Sequence, residues 1–421
     1  MKLDTLCVQA GYEPKNGDPR VVPIAQSTTF VYDSADTMGK LFDLEEDGFF
    51  YTRLGNPTLD AVEKKIAALE GGVGAMLTSS GQAASLISIT NICKTGDHVI
   101  ASAAIYGGTF NLFNKTLREL GIAFDFVEPD ISAEDLKSKF LSNTKAVFVE
   151  TLTNPSLDVV DLEMFAHAAH EHRCPLIVDN TFATPVNCRP FEWGADIVVH
   201  STSKYMDGHA VALGGCVVDS GSFDWTQGDY PMLSTPDETY HGIVYTEQFG
   251  KAAYIVKART HLMRDFGTQA SPQNAFLLNL GLETLHLRMR RHCDNAQKVA
   301  EFLEKHEKVD WVNYPGLPSN KYYPLAQKYM KNGTCGVISV GVKGGKDGAV
   351  RFMESLKLAK IVIHVADART CVLHPASTTH RQLSDAQLVD AGVAPNMVRL
   401  SVGIEDADDI IADIAQALEK V

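Results

Sequence analysis

Residues 176–204 read LIVDNTFATPVNCRPFEWGADIVVHSTSK. Two short apolar runs, Leu176-Ile177-Val178 and Ile197-Val198-Val199, frame a segment of turn formers and aromatic residues. Each run leads into polar groups: Asp179 after the first, Ser201-Thr202-Ser203-Lys204 after the second. Runs that are continuously apolar, rather than alternating, belong to strands covered on both faces, as in a parallel sheet. Working outward, similar runs recur at 74–77, 98–101, 123–127 and 146–149, with helix-length amphipathic segments between them. This alternation predicts an α/β fold with a mostly parallel central sheet.

The rest of the chain divides around that core. Residues 1–58 are rich in Gly, Pro and turn formers and predict an extended N-terminal arm that packs on something else. Ala61, Val62, Ile66 and Leu69 then have helical spacing, closed by Gly71-Gly72. Residues 59–260 form the predicted large domain, and 220–250 within it predict an ordered surface excursion. A smaller C-terminal αβ domain is expected over 261–421. It would hold a long helix over 274–303, strands at 336–340 and 398–402, and a closing helix over 408–418.

At 421 residues, with 45% hydrophobic and 21% charged residues, the chain can bury a large core. A net charge of -14 argues against nucleic acid or an anionic membrane as partner. The start, Met1-Lys2-Leu3-Asp4, leads into Gly11 and Pro14 without a signal-length apolar core, and no run reaches the roughly 18 apolar residues of a membrane span. A cytoplasmic location is the expectation. The eight cysteines are scattered and predict buried free thiols, while the fourteen histidines show no ligand spacing and predict no metal.

In open α/β sheets ligands bind beyond the carboxyl ends of the strands. Ser79-Ser80-Gly81-Gln82, Tyr106, Asp179 and Ser201 to Lys204 all fall at or just past such ends. A lysine that condenses with an aldehyde cofactor needs small neighbours and nearby hydroxyls for a phosphate. Pyridoxal phosphate has both groups, and its ring nitrogen stays protonated against a carboxylate, for which Asp179 is the candidate. Gly81 opens a helix whose first amides suit a phosphate, although an N-capping serine explains the same letters. Tyr106 offers a face to stack on a ring, or is a core tyrosine beside a turn. Tyr51-Thr52-Arg53 suits phosphate, or is a surface ion pair. Arg399, inside an apolar run, should meet a carboxylate from the protein or from a substrate.

Seven ordered stretches, YTRLGNPT from Tyr51, SSG from Ser79, Tyr106-Gly107, VDNT from Val178, STSKY from Ser201, HPAS from His374 and RLSVG from Arg399, together resemble the Cys/Met-metabolism family of pyridoxal-phosphate enzymes. The resemblance implies fold type I, with Lys204 carrying the cofactor, Asp179 on the pyridine nitrogen and Tyr106 on the ring. It implies phosphate contacts from Gly81, Gln82, Ser201 and Ser203, and from Tyr51 and Arg53 of a neighbouring subunit. Asn154 would lie near the ring oxygen and, with Tyr51, near the substrate. Arg399 would hold the α-carboxylate. A homo-oligomer, commonly a tetramer with shared sites, follows from the same likeness.

The stretch 220–242 is similar to the O-acetylhomoserine sulfhydrylase branch of that family. Methionine γ-lyases carry a cysteine near the stacking tyrosine, whereas Gly108 and Thr109 follow here. The expectation is γ-replacement on O-acetylhomoserine by sulfide or methanethiol. Elimination from methionine or cystathionine, or cystathionine γ-synthesis, is the alternative open to the same residues. His364 departs from the pattern, standing close to where many sulfhydrylases have an asparagine.

Overall fold

The computed structural model describes residues 1–378, 381 and 393–421. Its larger sheet has seven strands: β1 (Gly74–Thr78), β2 (His98–Ser102), β3 (Ala123–Val127), β4 (Thr144–Glu150), β5 (Leu176–Asp179), β6 (Ile197–His200) and β7 (Gly215–Asp219). Their spatial order is β1-β7-β6-β5-β4-β2-β3. Only β7 runs against its neighbours. The mostly parallel sheet is therefore present, with β7 as a strand that the sequence pattern did not announce. Gly215 opens β7 where a Cβ would lie 2.2 Å from the Ser80 carbonyl oxygen, so only glycine lets this strand pass the Ser80-Gly81 turn.

Side chains from each central strand enter two cores, one on each face. Ile100, Val147, Val149, Val178 and Val198 point to one, while Val99, Phe148, Ile177, Ile197 and Val199 point to the other. All are essentially inaccessible, and each contributes about 1.5–3 kcal/mol through apolar burial. At the edge, β3 alternates exposed and buried residues because helices cover it incompletely.

The N-terminal segment is less extended than expected. Helix α1 (Leu3–Gln9) docks on its own chain, against α3 (Pro57–Glu70) and the helices Pro272–Glu283 and Leu285–Glu304. Leu3, Leu6 and Cys7 face that core, as i, i+3, i+4 spacing requires. A second helix, α2 (Ala35–Phe42), is capped by the Ser34 side chain. The Asn56 side chain caps α3 by accepting from the Thr58 amide at 3.0 Å.

Two further expectations change. Within 220–250, Trp225, Tyr230, Leu233, Tyr240 and Tyr245 are buried, so this stretch is partly core. Trp225 stacks on Tyr254 with centroids 5.1 Å apart. The long helix over 274–303 is broken at Thr284, whose backbone leaves helical angles. The apolar period runs through the break, which therefore leaves no local signal. The smaller sheet orders β8 (Val309–Asn313), β9 (Val337–Val342), β10 (Lys360–Ile361), β11 (Cys371–Leu373) and β12 (Met397–Ser401) as β10-β11-β12-β9-β8. Helix Ala407–Leu418 closes its core through Ile410, Ile414 and Leu418. All eight cysteines are free and buried.

Candidate active site

Five strands of the large sheet deliver side chains to one rim. After β1, Ser80 caps α4 (Gly81–Thr90), its hydroxyl accepting from the Ala83 amide at 3.2 Å. That leaves the first-turn amides of Gly81 and Gln82 without intrahelical acceptors. The capping explanation of Ser80 is thus correct, and it is compatible with an anion site beside the cap. A Cβ on Gly81 would come within 2.7 Å of the Ser201 Cβ and 2.9 Å of its Cα, so the helix start lies directly against the loop after β6. There the Ser201 and Ser203 hydroxyls are 2.9 Å apart. Gly81→Ala should push these two loops apart and weaken cofactor retention by at least about tenfold, measured by dialysis of the loaded enzyme. Unchanged retention would remove this close approach from the phosphate site.

Asp179 ends β5 with its Oδ1 accepting from the Thr181 amide at 3.0 Å and from the Thr181 hydroxyl. Burial raises its pKa, and the two Thr181 bonds oppose that shift. The Thr181 hydroxyl also accepts from the Ser201 amide at 2.9 Å. One threonine therefore orients both the carboxylate and the serine loop. Beside Asp179 in the register is Glu150, whose carboxyl is pushed well above the usual range by burial and then by Asp179. Its Oε1 accepts from the Tyr106 amide at 2.7 Å, fixing the start of α5 (Gly107–Asn111). The Tyr106 ring is half exposed, which excludes the core-tyrosine alternative. Gln82 accepts from the Thr109 hydroxyl at 3.0 Å and so ties α4 to α5.

Lys204 lies partly buried beyond β6. Burial first, then the Arg399 charge, lowers its pKa to about 8. Its Nζ is 3.3 Å from the His364 Nδ1. The loop behind it is held by Arg288, which donates to the Tyr205 carbonyl at 2.7 Å, to the Met206 carbonyl at 3.3 Å and to the Gly281 carbonyl at 2.6 Å. Sequence reasoning missed Arg288, because an arginine on a helix ordinarily reads as a solvated charge.

Arg399 arrives from the smaller sheet on β12. It donates to the Asn154 Oδ1 at 3.0 Å and to the Ile363 carbonyl at 3.2 Å. Among the described residues no carboxylate pairs with it, and its Nε is buried without a partner. Tyr51 and Arg53 line a cleft of 360 Å³ with Gln26 and Gln269. The guanidinium lies 5.1 Å from the Tyr51 ring centroid, and its Nε is buried with no partner among the described residues. Tyr51 and Arg53 thus form a cation–π contact. His374, in the HPAS stretch, is satisfied within the fold by Ser377 at 2.9 Å and the Pro395 carbonyl at 2.8 Å.

A lysine of depressed basicity, a carboxylate at a neighbouring strand end, a helix start facing two hydroxyls and an unpaired arginine define an α/β enzyme site built for an amino-group-binding, phosphate-bearing cofactor. The residues fit pyridoxal phosphate, whose aldehyde, ring nitrogen and phosphate match Lys204, Asp179 and the Gly81–Ser201 cradle.

Residues 4–419 match the family described as Cys/Met metabolism PLP-dependent enzyme. The chain is 48% identical to the homocysteine synthase of Schizosaccharomyces pombe, over 99% of this chain and 98% of that protein. It is 43% identical to the O-acetyl-L-homoserine sulfhydrylase of Leptospira meyeri, over 100% and 97% of the two chains. A crystal structure of a Campylobacter jejuni protein assigned as an O-acetylhomoserine (thiol)-lyase, which carries pyridoxyl-lysine monophosphate, matches at TM-score 0.96 and 38% identity over all of both chains. This chain belongs to the Cys/Met metabolism family of pyridoxal-phosphate-dependent enzymes.

Proposed function

We propose that the chain converts O-acetylhomoserine and sulfide to homocysteine and acetate, with methanethiol as an alternative nucleophile giving methionine. The carbon–oxygen bond at Cγ breaks and a carbon–sulfur bond forms there, with no net oxidation. The observation that carries this reading is near full-length identity, at 43–48%, to proteins named as homocysteine synthase and O-acetyl-L-homoserine sulfhydrylase. When bound, pyridoxal phosphate supplies a carbonyl that links to amino groups and a ring that withdraws electrons from the substrate.

The side chains divide the remaining work. Gly81, Gln82, Ser201 and Ser203 would hold the phosphate, and Asp179 would keep a proton on the ring nitrogen. Tyr106 would offer its ring to the cofactor and assist the leaving group. Arg399 takes the substrate α-carboxylate, with Asn154 orienting the guanidinium. Lys204 would hold the cofactor carbonyl and would move protons at the substrate carbons. At a pKa of about 8 it is available both as base and as acid near neutral pH. Tyr51 and Arg53 complete the phosphate grip of a neighbouring subunit, within a cytoplasmic homotetramer. The cleft that they line and the Arg53 Nε, buried with no partner among the described residues, support that arrangement.

Incubation with O-acetylhomoserine should give homocysteine and acetate in equal amounts, only when sulfide is present. O-Succinylhomoserine should react at least about tenfold more slowly. Release of ammonia and keto acid from methionine, without sulfide-dependent homocysteine, would instead identify an eliminating lyase.

A further inference from the structure

The loop between β10 and β11 brings a second titratable side chain onto Lys204. His364 places its Nδ1 3.3 Å from the Lys204 Nζ, across 160 residues of sequence. Its backbone is held from both sides: the His364 carbonyl accepts from the Cys371 thiol at 3.3 Å, and the preceding Ile363 carbonyl accepts from Arg399 at 3.2 Å. The same loop residues therefore touch the lysine and the carboxylate-binding arginine. The His364 Nε2 is buried without a partner among the described residues.

We propose that His364 is a positioning residue for Lys204, a neutral imidazole whose Nδ1 lone pair accepts the lysine N–H and aims Nζ into the site. This assignment leaves the proton on the buried Nε2. It rests on the reaction proposed above. The charged and titratable groups around the imidazole are Lys204 from the loop after β6, Arg399 from β12, and Asp367 and Asp207 from flanking loops. Burial first, and the Lys204 charge next, lower the His364 pKa, while the two aspartates oppose this only in part. The imidazole is accordingly neutral at physiological pH and a hydrogen-bond acceptor at Nδ1. Protonation in acid would abolish that lone pair and set a second positive charge against Lys204. The working site should therefore lose activity on an acid limb lying below pH 6.5, the ordinary histidine value.

The test compares wild-type holoenzyme with His364→Asn and His364→Ala. Asn keeps a short acceptor oxygen but cannot titrate, whereas Ala removes the acceptor. Two readouts are followed from acid to alkaline pH: kcat and KM with O-acetylhomoserine and sulfide, and the visible absorbance of the Lys204-linked cofactor. In His364→Ala, kcat should fall about 10- to 100-fold with KM changed less than about threefold. The absorbance midpoint should fall by about one pH unit, because the protonated nitrogen loses an acceptor. In His364→Asn the midpoint should stay near wild type and the acid limb should disappear. An unmoved midpoint in His364→Ala, or an acid limb that persists in His364→Asn, overturns the proposal. The absorbance titration needs no substrate, so it decides the role of His364 even if wild-type enzyme shows no sulfide-dependent turnover and the proposed reaction fails. If His364→Ala does not retain cofactor, loss of the acid limb in His364→Asn upholds the assignment and its persistence overturns it.

Discussion

Lys204→Ala is expected to lower turnover of O-acetylhomoserine with sulfide by at least about 10³-fold while leaving the fold intact. Among the described residues the side chain makes one hydrogen bond, to His364, and its loop is held independently by the two Arg288 bonds to the Tyr205 and Met206 carbonyls. Removing the amine therefore costs the chemistry, not the architecture. At a pKa of about 8, half of a free Lys204 is neutral near pH 8, whereas at the ordinary value of 10.5 less than about one in a hundred would be. The covalent cofactor absorbance should vanish in the variant, with unlinked cofactor still held by the Gly81–Ser201 cradle. Activity above a tenth of wild type would show that another group moves the protons.

Arg399→Met should separate stability from function. In the described structure Arg399 is 8% exposed, and burial lowers its pKa to about 10. Its acceptors, the Asn154 amide oxygen and the Ile363 carbonyl, are both neutral. A buried cation without a charged partner is costly to the folded state, and an apolar side chain of similar length relieves that cost. Urea unfolding should consequently show unchanged stability or a gain of about 1 kcal/mol. For a substrate bearing an α-carboxylate, however, the same change removes its charged partner. kcat/KM should drop about 10²- to 10³-fold, mainly through KM. A variant that unfolds more easily yet keeps its KM would assign Arg399 to the fold alone.

Much of the site was legible because its parts are local. Ser79 to Gln82, Asp179 and Ser201 to Lys204 each sit within a few residues of an apolar strand, and a parallel sheet lines up strand ends without further information. Tyr106 was legible in position but not in exposure, since a turn-flanking tyrosine reads the same whether buried or free. The helix α1 inside the presumed arm was missed because seven residues with four apolar positions carry a weak period beside so many turn formers. The break at Thr284 was hidden by a period that runs across it.

By itself, the sequence determined the α/β class, the rim on which the chemistry stands, and a lysine–carboxylate–hydroxyl set suited to pyridoxal phosphate. Those features depend on the spacing of apolar residues and on what directly follows each strand, both of which are written in neighbouring residues. Only the tertiary structure decided that Arg399 reaches Asn154 across 245 residues, that His364 meets Lys204, and that Arg288 grips the loop behind it. These contacts depend on how the smaller sheet and the broken helix pair pack against the larger sheet. No local period encodes that packing, because it is set by the shapes of buried surfaces distant in the chain.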